Sequence, residues 1–586
     1  MTIVNNMTIK IGGEAGQGVE SSGAGFTKAL AHGGLHVISN SDYMSRIRGG
    51  YNFYQIRLGS KPLYAFEKNV HLLLAFNPEA VTQHAEELAP GAGIIYDEEF
   101  KIDTSLLQKG VKLFPLPLVK LAYELGKDRI MANTAAIGAT AGVTGYDFAR
   151  LQAVIEQNFR RKGKEVVDIN LKLAKTAHDL AVEKYAEDFE YKIRLIPQSP
   201  QWMMFHCNQA VSIGAIAGGC RFISGYPMTP ATSVIEYLTA KANQFGIVTK
   251  QTEDEISAIL MAIGASHAGV RAMTSTSGGG FSLMVEALGM AGITETPLVI
   301  VEAQRTGPST GLPTRTEQGD LDFVLHASQG EFPRIILAPG THEQFFEAGW
   351  RAFNLAEKYQ CPVIILTDLY LSTLLRTLPL NAVDFTKVKI DRGSVLTKEQ
   401  LDRLTQTYKR HQFTDSGVSP RAFPGHPKAV YMTTSDEHNE EGHIIEDAET
   451  RIKMMDKRMG KLELAKEEMR LPEVYGAENA EITLIGWGST YGALREAVDR
   501  LNANGTKANL FFFTDLWPMP EEKILSLLQV AKYTVCVEGN YTGQFAKLLR
   551  RQTGFKVDKL ITKYDGRPFT VDDVLERLKE EAKIHV

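Results

Sequence analysis

Three short stretches carry residue types able to do chemistry: Gly225-Tyr-Pro-Met-Thr-Pro230, Glu255 with the small residues behind it, and Gln304-Arg-Thr-Gly-Pro-Ser-Thr-Gly-Leu-Pro-Thr-Arg315. Glu255, Ala258, Ala262 and Gly264 recur at helical spacing, so a helix beginning at Glu255 lets another surface come close to its backbone. A carboxyl in the first turn of such a helix can meet a ring nitrogen of a ligand held at that seam. Thiamine diphosphate needs that group, because a glutamic acid bonded to N1′ of its aminopyrimidine pushes the cofactor toward its ylid. Each stretch also has a plainer reading. Thr229 alone fits an N-cap. Glu255, beside Glu253 and Asp254, fits a first-turn acid complementing the helix dipole. Arg305 and Arg315 suit a bidentate grip on a carboxylate, although Arg315 alone fits an exposed loop. All three stretches fall in order at the ends of expected strands. Doubly wound sheets hold their ligands there, which favours a site.

The strands that must place these groups are apolar runs at 221–225, 247–250, 271–275, 298–302, 334–338 and 362–367, separated by helical segments. Runs apolar throughout indicate a parallel sheet covered on both faces. Upstream, strands are expected at 8–12, 51–58, 70–76 and 93–96, and Leu173, Ala177, Leu180 and Ala181 keep the spacing of a packed helix. The linker Ile196-Pro-Gln-Ser-Pro200 separates the two regions. Regularity fails from about 386, where Gly, Pro and charge rise before a charged helix over 446–470. Persisting aromatic residues there favour an ordered connector. Strands at 481–486, 507–513 and 534–538 make the last part a small α/β domain. The expected division is 1–195, 203–385, 386–475 and 476–586.

Two glycine turns carry less information. Gly16-Gln-Gly18-Val-Glu-Ser-Ser-Gly23 lacks the G-x-G-x-x-G dinucleotide spacing and reads first as a tight turn, with a nucleotide site as the lesser alternative. Arg46 and Arg48 nearby face an anion or a partner acid, or pair on the surface. The turn Gly486-Trp-Gly-Ser-Thr-Tyr-Gly492 reads first as structural, with contact to a nucleotide-bearing thioester carrier as the lesser alternative.

At 586 residues with 44% hydrophobic and 23% charged residues, the chain has the composition of a multidomain soluble enzyme. A net charge of −5 gives no reason to expect nucleic acid or an anionic membrane as partner. No apolar run is long enough to span a bilayer, and the first residues lead into a strand without a signal-like pattern, so a cytoplasmic protein is expected. Cys207, Cys220, Cys361 and Cys536 include no C-x-x-C pair and read as buried thiols. An iron–sulfur cluster would have to sit on another chain.

With these residues in view, the chain resembles the 2-oxoacid:ferredoxin oxidoreductases, in particular α chains with the γ domain fused at the N-terminus. The Tyr-Pro-x-Thr-Pro and Gln-Arg-x-Gly-Pro-Ser-Thr-Gly-Leu-Pro-Thr strings carry the resemblance, and Met228 stands where the family usually has isoleucine. It implies an α/β chain: a γ domain that includes Arg48-Gly-Gly50, a doubly wound pyrimidine-binding domain, a connector and a smaller transketolase C-terminal-like domain. Glu255 would activate the aminopyrimidine, with Ser277 as a second cofactor contact. Tyr226, Thr229, Arg305, Thr314 and Arg315 would line the substrate site. The Gly-Asp-Gly motif that binds the diphosphate and its metal is missing, and the closest string, Gly319-Asp-Leu, leads to no Asn-Asn pair. The resemblance therefore implies a β subunit carrying that motif, Mg2+ and a [4Fe-4S] cluster, in an (αβ)2 assembly. The implied reaction turns a 2-oxoacid, coenzyme A and oxidised ferredoxin into acyl-CoA, CO2 and reduced ferredoxin. Two arginines favour 2-oxoglutarate. A nucleotide-binding scaffold protein and a non-redox transketolase-like subunit are the alternatives.

Overall fold

Strand Asn6–Glu14 is buried at every position but its ends, which a segment reading Met-Thr-Ile-Lys-Ile-Gly-Gly achieves only with cover on both faces. The computed structural model describes residues 2–45, 49–197, 199 and 201–584. Arg46 and Arg48 lie outside the described residues. The chain forms two compact units, Met1–Phe205 with Thr373–Ala382 and Thr570–Asp573, and His206–Ser372 with Val383–Phe569 and Val574–Val586.

The first unit is built on an eight-stranded sheet in the order Lys112–Leu116, Leu88–Asp97, Val70–Ala75, Asn6–Glu14, Tyr51–Gly59, His36–Asp42, Leu375–Pro379, Trp202–Phe205. The first four strands are parallel and the remaining pairings antiparallel. Leu375–Pro379 falls within the 203–385 stretch expected to form the second domain, yet it pairs here. Helix Lys164–Tyr185 buries Leu173, Ala177 and Ala181 in the core, with Leu180 packed at its edge. A Cβ on Gly138 of helix Ala132–Thr144 would lie 2.8 Å from the Ala174 carbonyl carbon, so glycine permits this helix crossing.

The second unit holds two sheets. The larger runs Val248–Gln251, Phe222–Gly225, Ala272–Thr276, Leu298–Gln304, Pro362–Asp368, Ile335–Leu337, Asp515–Trp517, parallel except for the last pairing. The smaller runs Glu473–Gly476, Ala508–Phe513, Ile482–Trp487, Thr534–Glu538, Lys559–Thr562. Between them the connector is ordered. Leu401, Tyr408, Ala422 and Ala429 form a small core of their own, and helix Ala448–Lys466 buries Lys457 and Lys461. Both lysines pair with Glu295, which also receives His411 Nδ1 at 3.1 Å. Burial works against the charge on Glu295, and the two lysines outweigh it, holding the carboxyl well below its usual range.

Candidate functional site

In the larger sheet the second strand in sequence, Val248–Gln251, lies outside the first, Phe222–Gly225, whereas the third, Ala272–Thr276, lies on its other side. The order therefore reverses at Phe222–Gly225. A crevice opens at the carboxyl ends beside such a reversal. The 226–230 turn leaves Phe222–Gly225, Ser277 follows Ala272–Thr276, and the 305–320 loop leaves Leu298–Gln304. Thr252 N donates to Gly225 O at 3.0 Å, bringing the start of the Glu255 helix to the same rim.

Helix Glu255–His267 is capped by Asp254, whose carboxylate accepts from Ser257 N at 2.7 Å. Asp254 therefore serves the helix end, and Glu255 is free to turn inward. Its residue is only 3% exposed, and Oε1 is buried with no hydrogen-bond partner. Leaving such an acceptor unsatisfied costs about 1–3 kcal/mol, so the position calls for an outside donor. Gly280, in the first turn of helix Gly278–Ile293, makes room for this carboxyl: a Cβ there would overlap Thr276 Oγ1 and Glu255 Oε1 and lie 2.8 Å from Glu255 Cδ. Ser277 is fully buried, and its Oγ also lacks a partner. Gly279 beside it has open space where a side chain would stand. An orphaned carboxyl oxygen, an orphaned hydroxyl and an open glycine turn fit the polar edge of an aminopyrimidine.

Thr229 and Arg305 meet directly, with Arg305 Nη1 donating to Thr229 O at 3.0 Å. The turn beneath is fixed by Asn208, fully buried, whose Nδ2 donates to Pro230 O at 3.0 Å and Ser233 Oγ at 2.9 Å. Arg305 is half-buried, and Tyr226, at the start of the turn, is exposed. Arg315 returns to Arg305's end of the loop, because Thr306 N donates to Arg315 O at 3.1 Å and Leu312 N to Thr306 O at 3.0 Å. Arg315 Nη1 donates to the carbonyl of Thr314, itself half-buried. Thus Thr229, Arg305, Thr314 and Arg315 stand on adjoining loops, and the Glu255 carboxyl lies against Gly280, in the helix turn that Ser277 precedes.

Residue reasoning missed the groups that hold the loop. Gln318 uses all its polar atoms: N donates to Gly539 O at 2.6 Å, Nε2 to Trp487 O at 2.8 Å, Oε1 accepts from Gly539 N at 2.8 Å, and O accepts from Asn540 Nδ2 at 3.1 Å. The second glycine turn is thereby a seat for this loop. Buried carboxyls were missed as well. Burial, with Asp320 and Asp368 close by, pushes Glu302 well above the usual range, and burial raises Asp368 to about 6. In the first unit Gly16 and Gly18 both take left-handed conformations, as a tight turn requires, and Gly16 borders a cavity of about 480 Å³ with Phe76, Asp97, Arg129 and Asn133. All four cysteines are buried, and burial pushes Cys220 and Cys361 up to about 12. Among the described residues no helix is long and apolar enough to cross a membrane.

Family models for pyruvate flavodoxin/ferredoxin oxidoreductases match three stretches: the thiamine diphosphate-binding model at 213–457, the pyruvate ferredoxin/flavodoxin oxidoreductase model at 8–180, and core domain II at 480–574. The chain is 36% identical to a 2-oxoacid:ferredoxin oxidoreductase subunit alpha of Sulfolobus, over 97% of this chain and 96% of that one. It is 29% identical to a 2-oxoglutarate oxidoreductase subunit of Mycobacterium tuberculosis over 97% of this chain and 91% of that one. Among solved structures, the 2-oxoglutarate:ferredoxin oxidoreductase of Magnetococcus marinus, with 2-oxoglutarate, coenzyme A and succinyl-CoA bound, aligns with a TM-score of 0.92 at 34% identity, covering 98% of this chain and 99% of that one. The chain belongs to the alpha subunits of the 2-oxoacid:ferredoxin oxidoreductases, enzymes that oxidise the oxo group of a donor and pass electrons to an iron–sulfur protein.

Proposed function

We propose that this alpha subunit supplies the aminopyrimidine half of a thiamine diphosphate site and the grip on a 2-oxoacid, with 2-oxoglutarate as substrate. The observation that carries the reading is the buried, unpartnered Oε1 of Glu255, lying against Gly280 in the helix turn that follows Ser277. Glu255 would hold the proton shared with N1′, and Ser277 would bond the same ring. When bound, thiamine diphosphate supplies the carbanion that allows a 2-oxoacid to lose CO2. Arg305 would take the carboxylate, while the Thr229 turn that it braces sets the distance to the 2-oxo group. Arg315 and Thr314 would meet the far carboxylate, with Tyr226 closing the exposed side. Relatives named for 2-oxoglutarate, one of them holding that substrate, support the choice.

A β subunit would complete the site with the diphosphate motif, Mg2+ and a [4Fe-4S] cluster, in an (αβ)2 assembly using coenzyme A and cytoplasmic ferredoxin. Exposed Ile256, Leu260 and Met261 on the Glu255 helix and Leu283 on the next helix support a partner there. The three family matches support a division into γ, pyrimidine-binding and transketolase C-terminal-like parts. The test is Glu255→Gln in the assembled complex, assayed by viologen reduction with 2-oxoglutarate, pyruvate and branched 2-oxoacids. Assembly is retained and kcat falls about 10²–10⁴-fold, the worth of a positioned proton-transfer group. Undiminished kcat would remove Glu255 from the mechanism, and a preference for pyruvate would overturn the substrate choice.

A further inference from the structure

Glu302, near the end of strand Leu298–Gln304, is fully buried, and neither of its oxygens receives a hydrogen bond from an N–H or hydroxyl group. The group facing it is another carboxyl, Asp320. Asp320 is fixed through its backbone: its N donates to Gln304 Oε1 at 3.0 Å, and Gln304 Nε2 donates to Thr367 O at 3.1 Å. Its side chain lies over the start of the Gly278–Ile293 helix, where a Cβ on Gly278 would stand 3.0 Å from Asp320 Cγ. Glu302 is out of water and Asp320 largely so, and two carboxyls facing each other in such a place do not both ionise; one proton between them leaves a single negative charge. Arg305 is the cation beside that charge. Glu302 also stands in register with Thr276, whose hydroxyl crowds Gly280 together with Glu255. The pair therefore lies between the carboxylate grip and the aminopyrimidine acid.

We propose that Glu302 and Asp320 form a proton-coupled positioning pair for Arg305, neutralising the guanidinium in the empty site and taking up a second proton when a substrate carboxylate claims it. The inference rests on the assignment of Arg305 to the substrate. Its charge balance is simple. Arg305 and the singly protonated pair sum to zero in the empty site. A carboxylate entering without a proton would leave a buried net negative charge, whereas one proton taken from water restores zero.

The surroundings favour that uptake. Burial, then Asp320 and Asp368, raise Glu302, and burial raises Asp320 against the opposing effects of Glu302 and Arg305. Glu317 on the same loop is pushed up to about 7 by burial and by Asp320. Substrate affinity should therefore rise as pH falls through the second protonation of the pair, by at most about tenfold per pH unit.

The test is calorimetry of the assembled complex with N-oxalylglycine, the amide isostere of 2-oxoglutarate that cannot decarboxylate, in phosphate and in Tris from pH 6 to 8. The two buffers differ in ionisation heat, so the difference in binding heat counts protons. Wild type takes up part of a proton, and its affinity falls as pH rises. Asp320→Asn loses most of the uptake and holds its affinity within about twofold across the range. Glu302→Gln, which keeps shape and a donor, behaves the same way and carries the test should Asp320→Asn fail to assemble. Wild-type binding without proton uptake, or equal uptake in both variants, overturns the proposal. Arg305→Met separates the two readings. Unchanged binding there removes Arg305 from the substrate site, whereas lost binding without wild-type uptake leaves the grip standing and removes the coupling.

Discussion

Gly280→Ala separates helix propensity from the needs of the site. Gly280 lies in the first turn of helix Gly278–Ile293, where alanine gains at most about 1 kcal/mol over glycine. The structure opposes the change. The new Cβ would overlap Thr276 Oγ1 and Glu255 Oε1 and stand 2.8 Å from Glu255 Cδ, against an ordinary carbon–carbon approach of about 3.5 Å or more. Thr276 sits in register with Glu302 of the neighbouring strand and is fully buried, so it yields little. Glu255 Oε1 has no bond holding it and is the group that gives way, by an amount on the order of 1 Å. A misplacement of that size at a reacting group costs about 10²-fold in turnover. The assay is viologen reduction by the assembled complex at saturating 2-oxoacid, beside thermal melting of the same sample. Turnover falls about a hundredfold while melting barely moves. Adding Thr276→Ala removes the hydroxyl overlap but not the carboxyl overlap, so turnover stays low. Full activity in Gly280→Ala would refute the placement of Glu255, and recovery in the double variant would transfer the effect to Thr276.

Two further outcomes concern the connector. Lys461→Met leaves Glu295 with one fewer cation in a fully buried network, and breaking a buried pair from one side costs about 3–5 kcal/mol, measured by urea unfolding; a loss under about 1 kcal/mol would mean that Lys457 and His411 suffice. Burial works against the charge on Glu437, yet the hydrogen bonds from Arg458 and Arg451 prevail and hold its carboxyl at about 2. A depressed folded pKa gives stability that is present above the ordinary value of 4.5 and lost as pH falls toward 2. Acid unfolding followed by circular dichroism should therefore be shallower over that window in Glu437→Gln, and an unchanged profile would contradict the assignment.

The parallel strands of the second unit were legible because burial on both faces writes itself as unbroken apolar runs, as in Leu298–Gln304 and Pro362–Asp368. Strands that escaped notice lack that signature. His36–Asp42 ends in Ser-Asn-Ser-Asp, Lys112–Leu116 contains a proline at a sheet edge, and Leu375–Pro379 completes a sheet begun more than three hundred residues earlier. The site divides in the same way. The Thr229 and Arg305 loops announced themselves through proline, glycine and arginine at strand ends. Asn208, Gln318 and Asp320 did not, since each acts through a contact that single residue types do not advertise. Gln318 reaches Gly539 across 221 positions. Glu255 was ambiguous beside Asp254 until the cap bond to Ser257 distinguished the acid serving the helix from the one turned inward.

The Glu255 helix shows why half a pocket is a stable arrangement. Ala258, Ile259, Ala262 and Ile263 anchor one side in the core, and Ile256, Leu260 and Met261 face outward. The exposed side chains forgo about 25 cal/mol for each Å² of apolar surface left in water, and the unsatisfied Glu255 oxygen forgoes about 1–3 kcal/mol more. A small-residue helix secured on its inner side tolerates both costs, because its fold does not depend on the missing contacts. On the proposed reading one event removes both: a partner covers the apolar face and brings a cofactor whose N1′ would share a proton with the Glu255 carboxyl. Cofactor affinity and subunit affinity are then linked by a single coupling free energy, so the factor by which bound cofactor tightens subunit association is also the factor by which association tightens cofactor binding.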